Sequence, residues 1–563
     1  MKRAILFAGA AALAGLASPA AAQQADFRAC DGFRAPGRDA DGMQRRARPI
    51  FSTMLPVLGT SIPRELTREA GAAGIKSCDD ALASPLLLPA YALRRASLLR
   101  ARGLYRLAAR EDQAALADFA ASDEAAAAAN DLHYRRSLGL GTALLRAYAH
   151  HLAGRREDAV AGARAVLEAR PTDPEIGSAA ADLILAATGD WDVYTQTVRG
   201  VARYDPGLLV PLYIVSTLRG RFEEALALQP QIVFGVPTTR GGSLAGGRGS
   251  VIATNFLTQL DIDGSGAFAR AALGRRAEAE AEIAALGERV EAALRAPTPP
   301  APEADQREYR RANDRYRQIE PRAEEARGRL AFWRRLVELR AMIDSGRAAE
   351  AATQLTERPL GNSIYGLTIY EALAQARPEA RAMLEPRIEA ARTAVQAQLA
   401  RIAELGLSSL GRRLPESEDA RRLPGYNGGS DGFLGGDGFM SRRAVLEGAR
   451  TVKFQSDDGT AATNAEMALL RAAELAREQN KGGFIVLDRR VLQRTLVTRQ
   501  YGTVIDTDHE GFVAELDVVF ADPNALPAGF EQSGWRFVDA ADVIARLGPV
   551  YRRPADASRR RRN

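Results

Sequence analysis

The chain is 563 residues long, with 76 Lys+Arg against 70 Asp+Glu, 46% hydrophobic residues and two cysteines. This is ample apolar material for a large core, and it excludes both a disulfide-stapled mini-domain and a disordered chain. Of the net charge of +6, Lys2 and Arg3 supply two and the last thirteen residues five, which leaves the body near neutral; a nucleic-acid partner is therefore not expected, since it would need a basic face rather than a basic tip.

Residues 1–22 read as a signal peptide. Lys2 and Arg3 form its positive region, Ala4 to Leu16 its apolar stretch, and Ala20 and Ala22 the small positions before a cut at Gln23. No later segment reaches the length of a membrane-spanning helix, so a periplasmic mature protein is expected. Residues 23–89 form an N-terminal cap that holds both cysteines, Cys30 and Cys78. An even pair in an oxidising compartment predicts a disulfide. Closing a separation of 48 residues is worth about 4 kcal/mol by chain entropy.

Residues 90–415 are helical and alanine-rich, with a recurring phrase: Gly154-Arg-Arg-Glu-Asp-Ala159, Gly220-Arg-Phe-Glu-Glu-Ala225, Gly274-Arg-Arg-Ala-Glu-Ala279 and Gly346-Arg-Ala-Ala-Glu-Ala351, with a weaker copy at Gly189. Glycine suits the turn after one helix, acidic residues the first turn of the next, and alanine a close helix crossing. Gly103 stands twelve residues before Ala115, which Phe119 follows; Gly154 to Pro171 and Gly189 to Pro206 are both seventeen apart. These residues resemble the tetratricopeptide (TPR) repeat. The departures are Arg102 and Arg106 at apolar and aromatic positions, and Asp182 and Tyr194 at small ones. The resemblance implies an α-solenoid of helical hairpins in a protein of the alphaproteobacterial periplasm. Its frame places Arg100, Leu104, Tyr148, His151, Val210 and Ile214 toward a partner-binding groove, the alternative being that flanking elements cover them as core. Glu308 to Arg340 reads as one long charged helix with an apolar stripe.

Asp261-Ile-Asp263-Gly264-Ser265-Gly266 has the opening of a calcium loop, but Ala272 stands where the bidentate glutamate belongs. An acidic inter-helix turn is the expectation. The glycine-rich stretch 241–250 lacks the lysine of a phosphate loop and the last glycine of a nucleophile elbow. His150 and His151 are adjacent and point about 100° apart on a helix. No catalytic residues, metal ligands or cofactors are assigned.

Residues 416–445 form a Gly-rich linker, with seven glycines between Pro424 and Gly438. Residues 446–550 then read as a small α+β domain: strands at 450–455, 484–488, 491–500 and 512–520, a helix at 461–479, and a final helix from Asp539 ended by Gly548 and Pro549. The run from Leu469 to Ala476 with Gly483-Phe-Ile-Val-Leu-Asp-Arg489 resembles a domain of alphaproteobacterial envelope lipoproteins, which implies an envelope location. Residues 551–563 are a basic tail, able to make weak contact with an anionic envelope surface at about 1 kcal/mol per basic residue.

The fold class expected is mainly α, a TPR-like solenoid followed by a small C-terminal α+β domain. The function expected is an exported scaffold, not an enzyme, that binds a protein or peptide partner in the cell envelope. An envelope glycan-processing enzyme and a binding module for anionic polymers are the alternatives.

Overall fold

The computed structural model describes residues 26–32, 35–36, 68–232, 248–298, 306–414, 426, 438–443, 448–456, 460–500 and 503–552. The expected signal peptide, the loop 241–247 and the arginines at 553 and 559–562 lie outside them, as does the linker apart from Tyr426 and residues 438–443. The protein is mainly helical, with one antiparallel sheet near the C-terminus. It divides into two compact units: Met1–Asp205 with Ala403–Leu526 and Trp535–Asn563, and Pro206–Ile402 with Pro527–Gly534.

The first unit begins with α1 (residues 26–31), α2 (Arg68–Ala83), α3 (Ala92–Ala108), α4 (Asp112–Ala129) and α5 (Leu132–Arg136). It continues through α6 (Leu138–Leu152), α7 (Arg156–Ala169), α8 (Pro174–Thr188) and α9 (Trp191–Ala202). Helix α3 packs on α4, α6 on α7, α7 on α8, and α8 on α9. Alanine and glycine allow the close approach: a Cβ added at Gly103 would stand 2.6 Å from the Phe119 ring. Phe119, Leu144, Ala147, Ala163, Ile176 and Leu183 are all at most 1% exposed and form the core between these helices.

The turns show why the phrase recurs. Gly154 takes φ +76°; its N–H donates to the His151 carbonyl, and the Arg155 N–H donates to the His150 carbonyl. This is the Schellman closure, in which a left-handed residue satisfies the last carbonyls of a helix. Gly220, Gly274 and Gly346 repeat the same pair of bonds in the second unit. Arg110 makes it as well, between α3 and α4, with φ +64° and no glycine to relieve the Cβ. Asp173 and Asp190 cap α8 and α9 by accepting backbone N–H bonds from their first turns.

Short helix α1 is tied down three ways. Cys30 and Cys78 are joined as a disulfide. Asp31 receives both Nη atoms of the fully buried Arg94, whose guanidinium lies 5.4 Å from the Phe27 ring centroid. Finally, the Tyr105 hydroxyl donates to the Ala29 carbonyl at 3.1 Å.

The second unit contains α10 (Leu209–Leu218), α11 (Phe222–Leu228), α12 (Arg248–Ala272), α13 (Arg276–Ala293), α14 (Gln306–Ile319), α15 (Ala323–Asp344), α16 (Ala348–Glu357), α17 (Ile364–Ala376) and α18 (Arg381–Ser408) as far as Ile402. Two expectations are corrected here. The Asp261–Gly266 phrase is no inter-helix turn but the interior of α12. Its glycines make room for neighbours, since a Cβ at Gly264 would meet the Trp333 ring at 2.2 Å and one at Gly266 would meet Gln229 at 2.3 Å. Its carboxylates are engaged: Asp261 accepts from Arg329 and from Trp333 Nε1, and Asp263 from Gln259 and Arg289. The long charged helix is in fact two, α14 and α15, separated at the 3-10 turn Glu320–Arg322, where Pro321 stands. An edge-to-face ladder of Phe222, Phe268, Tyr365 and Trp333 runs through this unit.

The sheet belongs to the first unit, with strand order β1-β2-β4-β3-β5: β1 (Gly438–Arg443), β2 (Arg450–Ser456), β3 (Gly483–Gln500), β4 (Thr503–Ala521) and β5 (Phe537–Asp539). All pairings are antiparallel. Strand β1 falls where the sequence predicts linker. Strand β3 fuses the two strands expected at 484–488 and 491–500, with a register shift between Val486 and Asp488 marking the place where they looked separate. Helices α19 (Ala461–Glu478) and α20 (Ala540–Tyr551) pack against the sheet. Helix α20 continues through Gly548 and Pro549 to Tyr551. Phe454, Phe484, Val486, Leu516, Leu470, Val543 and Leu547 form the resulting core, joined by Tyr204 from the chain that follows α9.

Candidate partner-binding surface

Helix α3 carries Arg100 and Leu104, and α6 carries Tyr148 and His151. All four are half-buried. Leu104 and Tyr148 rest on the same core of Phe119, Leu144 and Leu107. Tyr148 and His151, three residues apart and so on one helix face, stack with ring centroids 6.4 Å apart and planes 20° apart. These half-buried side chains, Leu104 and Tyr148 packed on the core and His151 stacked on the Tyr148 ring, make up a ledge.

Burial is also the main influence on their ionisation. It raises the Tyr148 phenol, with Arg110 opposing and Asp112 assisting. It lowers the His151 imidazole below its ordinary 6.5, helped by the Arg156 charge. His151 is therefore a neutral ring at neutral pH, an amphipathic plate rather than a fixed charge. Arg100, one turn before Leu104 on α3, acts with its charge on the buried Tyr134 phenol of α5. Val210 and Ile214 lie on α10 of the second unit; Val210 is half-buried and Ile214 is 42% exposed.

The departures from the repeat pattern compensate one another. Arg102 and Arg106 both converge on Asp118 of α4, which is 2% exposed: Arg102 Nε and Nη2 donate at 3.0 and 2.6 Å, and Arg106 Nη1 lies at 3.0 Å. An ion cluster thus ties α3 to α4 where apolar packing was expected. Asp182 on α8 pairs at 2.6 Å with Arg413 of the 3-10 turn Leu410–Arg413, and Tyr194 on α9 hydrogen-bonds to the same carboxylate.

Sequence reasoning passed over Glu466 altogether. It lies on α19 and is fully buried. Its carboxylate accepts from Arg136 Nη2 at 3.0 and 3.1 Å, from Arg170 Nε and Nη2 at 3.0 Å each, from Thr172 Oγ1 at 2.6 Å and from the Tyr551 hydroxyl. Burial alone would raise its pKa. The charges of Arg170 and Arg136 and the bonds from Arg170 and Thr172 outweigh burial and hold the group well below the carboxylate range. With its oxygens occupied and no solvent access, Glu466 is an anchor between α19, α20 and the α5–α8 region, not an acid or base. The available signal was its phase: four residues before Leu470, on the apolar stripe of the helix.

Among the described residues no group of three or more His, Cys, Asp or Glu side chains is placed to hold a metal, and no helix is long and apolar enough to cross a membrane.

No family model, curated protein or solved structure matches the chain.

Proposed function

We propose that this chain is an exported, TPR-like helical scaffold that binds a protein or peptide segment in the cell envelope through the ledge of Leu104, Tyr148 and His151. The observation that carries this reading is the ledge itself. Leu104 and Tyr148, from two hairpins, pack on one core yet stay half-buried, and His151 stacks on Tyr148; rigid apolar and aromatic groups held in this way serve as binding anchors. The repeated glycine-closed turns support the repeat reading, because each sets one helix against the next with the same backbone device. The joined cysteines are compatible with an oxidising compartment. In this reading Arg102, Arg106, Asp118 and Glu466 hold the framework and make no contact with the partner.

The test is affinity capture from periplasmic extract with the exported full-length chain, run in parallel with a Leu104→Glu/Tyr148→Ala variant. A specific partner recovered by the parent and lost from the variant, with circular dichroism unchanged, is the expected result. The same proteins recovered by both would overturn the assignment of the ledge.

A further inference from the structure

A second surface, in the other compact unit, has a different chemistry. Helices α13 and α15 pack side by side and leave between them a cleft of about 590 Å³. Its floor is the buried Leu330 together with the backbone at Gly287, where the absent side chain leaves a notch. A Cβ placed there would have only Arg334 Nη2 at 3.4 Å and Leu330 at 3.8 Å as neighbours. On the walls, Glu291 and Arg327 satisfy each other through two bonds of 3.0 and 3.2 Å. The other two arginines of the lining, Arg295 and Arg334, form no ion pair within 4 Å among the described residues, although the Arg295 charge also acts on Glu291. Glu288 is the one opposing charge in the lining without a cation of its own.

The spacing sets the size of the ligand. Gly287 and Glu291 stand one four-residue step apart on α13, with Arg295 just beyond the end of that helix, and Arg327, Leu330 and Arg334 follow at steps of three and four on α15, so the α15 wall is roughly 10 Å long at 1.5 Å per residue. An extended segment of about four residues at ~3.3 Å each spans that length. Two guanidiniums outside any ion pair select carboxylates, and the surface of Leu330 and Gly287, beside Arg334, meets one apolar side chain. We infer that the α13–α15 cleft binds a short acidic peptide segment, with carboxylates on Arg295 and Arg334 and an apolar residue in the Gly287 notch. The inference is independent of the ledge formed by Leu104, Tyr148 and His151.

The test is fluorescence anisotropy of a labelled Glu-Leu-Glu-Leu-Glu peptide, and of its Gln-Leu-Gln-Leu-Gln counterpart, titrated with the full-length chain. Binding of the acidic peptide alone is expected. Arg295→Glu/Arg334→Glu should weaken it about tenfold or more, and Glu288→Gln should leave it intact or tighten it. Gly287→Leu is the decisive variant: it places a side chain against Arg334 and Leu330, and with circular dichroism unchanged binding should fall. The inference is overturned if the parent binds neither peptide or both equally, or if Gly287→Leu binds as the parent does. It is also overturned if heparin binds as well as the peptide, or if Arg295→Glu/Arg334→Glu abolishes self-association of the chain instead. Leu104→Glu/Tyr148→Ala should leave this binding unchanged, so the two surfaces fail or stand separately.

Discussion

The Arg170 guanidinium donates from Nε and Nη2 to the two oxygens of the Glu466 carboxylate, 296 residues further along the chain, with both side chains buried. This bidentate pair joins the helices that precede it to the C-terminal sheet layer within a single compact unit. Removing one partner of such a pair strands a buried charge, which costs about 3–5 kcal/mol. Glu466→Gln is therefore expected to lower the urea midpoint by a matching amount at pH 7. The folded pKa lies below the unfolded value, so the carboxylate stabilises the fold fully above the unfolded pKa and loses that effect as pH falls toward the folded one. The gap between parent and Glu466→Gln should accordingly narrow on going from pH 7 to pH 3, and a gap independent of pH would contradict this assignment.

The turn at Arg110 offers a change of opposite sign. Arg110 holds φ +64° in the same closure that Gly154 makes at +76°. Relieving a left-handed non-glycine gains about 1–2 kcal/mol, offset by up to about 1 kcal/mol of glycine's chain entropy. Arg110→Gly should raise the thermal midpoint slightly, while Gly154→Ala, with open space around the new methyl, should lower it through backbone strain alone. Differential scanning calorimetry of both variants checks the pair of signs.

The hairpins were legible because their signals are local. A glycine at the end of a helix, an acidic first turn and a small residue at the crossing each act within a few residues, and the phrases at Gly154, Gly220, Gly274 and Gly346 all sit where the structure places left-handed turns. What was not legible is long-range. Nothing near Asp118 announces that Arg102 and Arg106 will meet on it, and Glu466 finds Arg136 and Arg170 only once the fold has formed. The Asp261–Gly266 phrase misled for the same reason. Its glycines answer to Trp333 and Gln229, distant in sequence, so a composition typical of a turn lies inside a helix. The repeat frame put Leu104, Tyr148 and His151 toward a groove along with Arg100, Val210 and Ile214, but the stacking of Tyr148 and His151 had no sequence signature.

The disulfide between Cys30 and Cys78 fixes α1 against α2, and both cysteines are at most 2% exposed. Replacing the pair by serine should cost about 2–5 kcal/mol. Because Asp31, Phe27 and Tyr105 hold the same segment, residues 26–31 should keep partial amide protection in the serine variant. Hydrogen exchange of this segment, with and without the disulfide, measures both effects.

The central claim is that the ledge of Leu104, Tyr148 and His151 receives a protein partner. A photo-crosslinking side chain at position 151 of the exported full-length chain, activated in intact cells, tests it most directly. The expected result is a discrete protein adduct at that position that is absent when the same side chain is placed at the exposed Glu168 of α7, and that disappears when Leu104→Glu and Tyr148→Ala are added. No adduct at position 151, or the same adducts from positions 151 and 168, would contradict it.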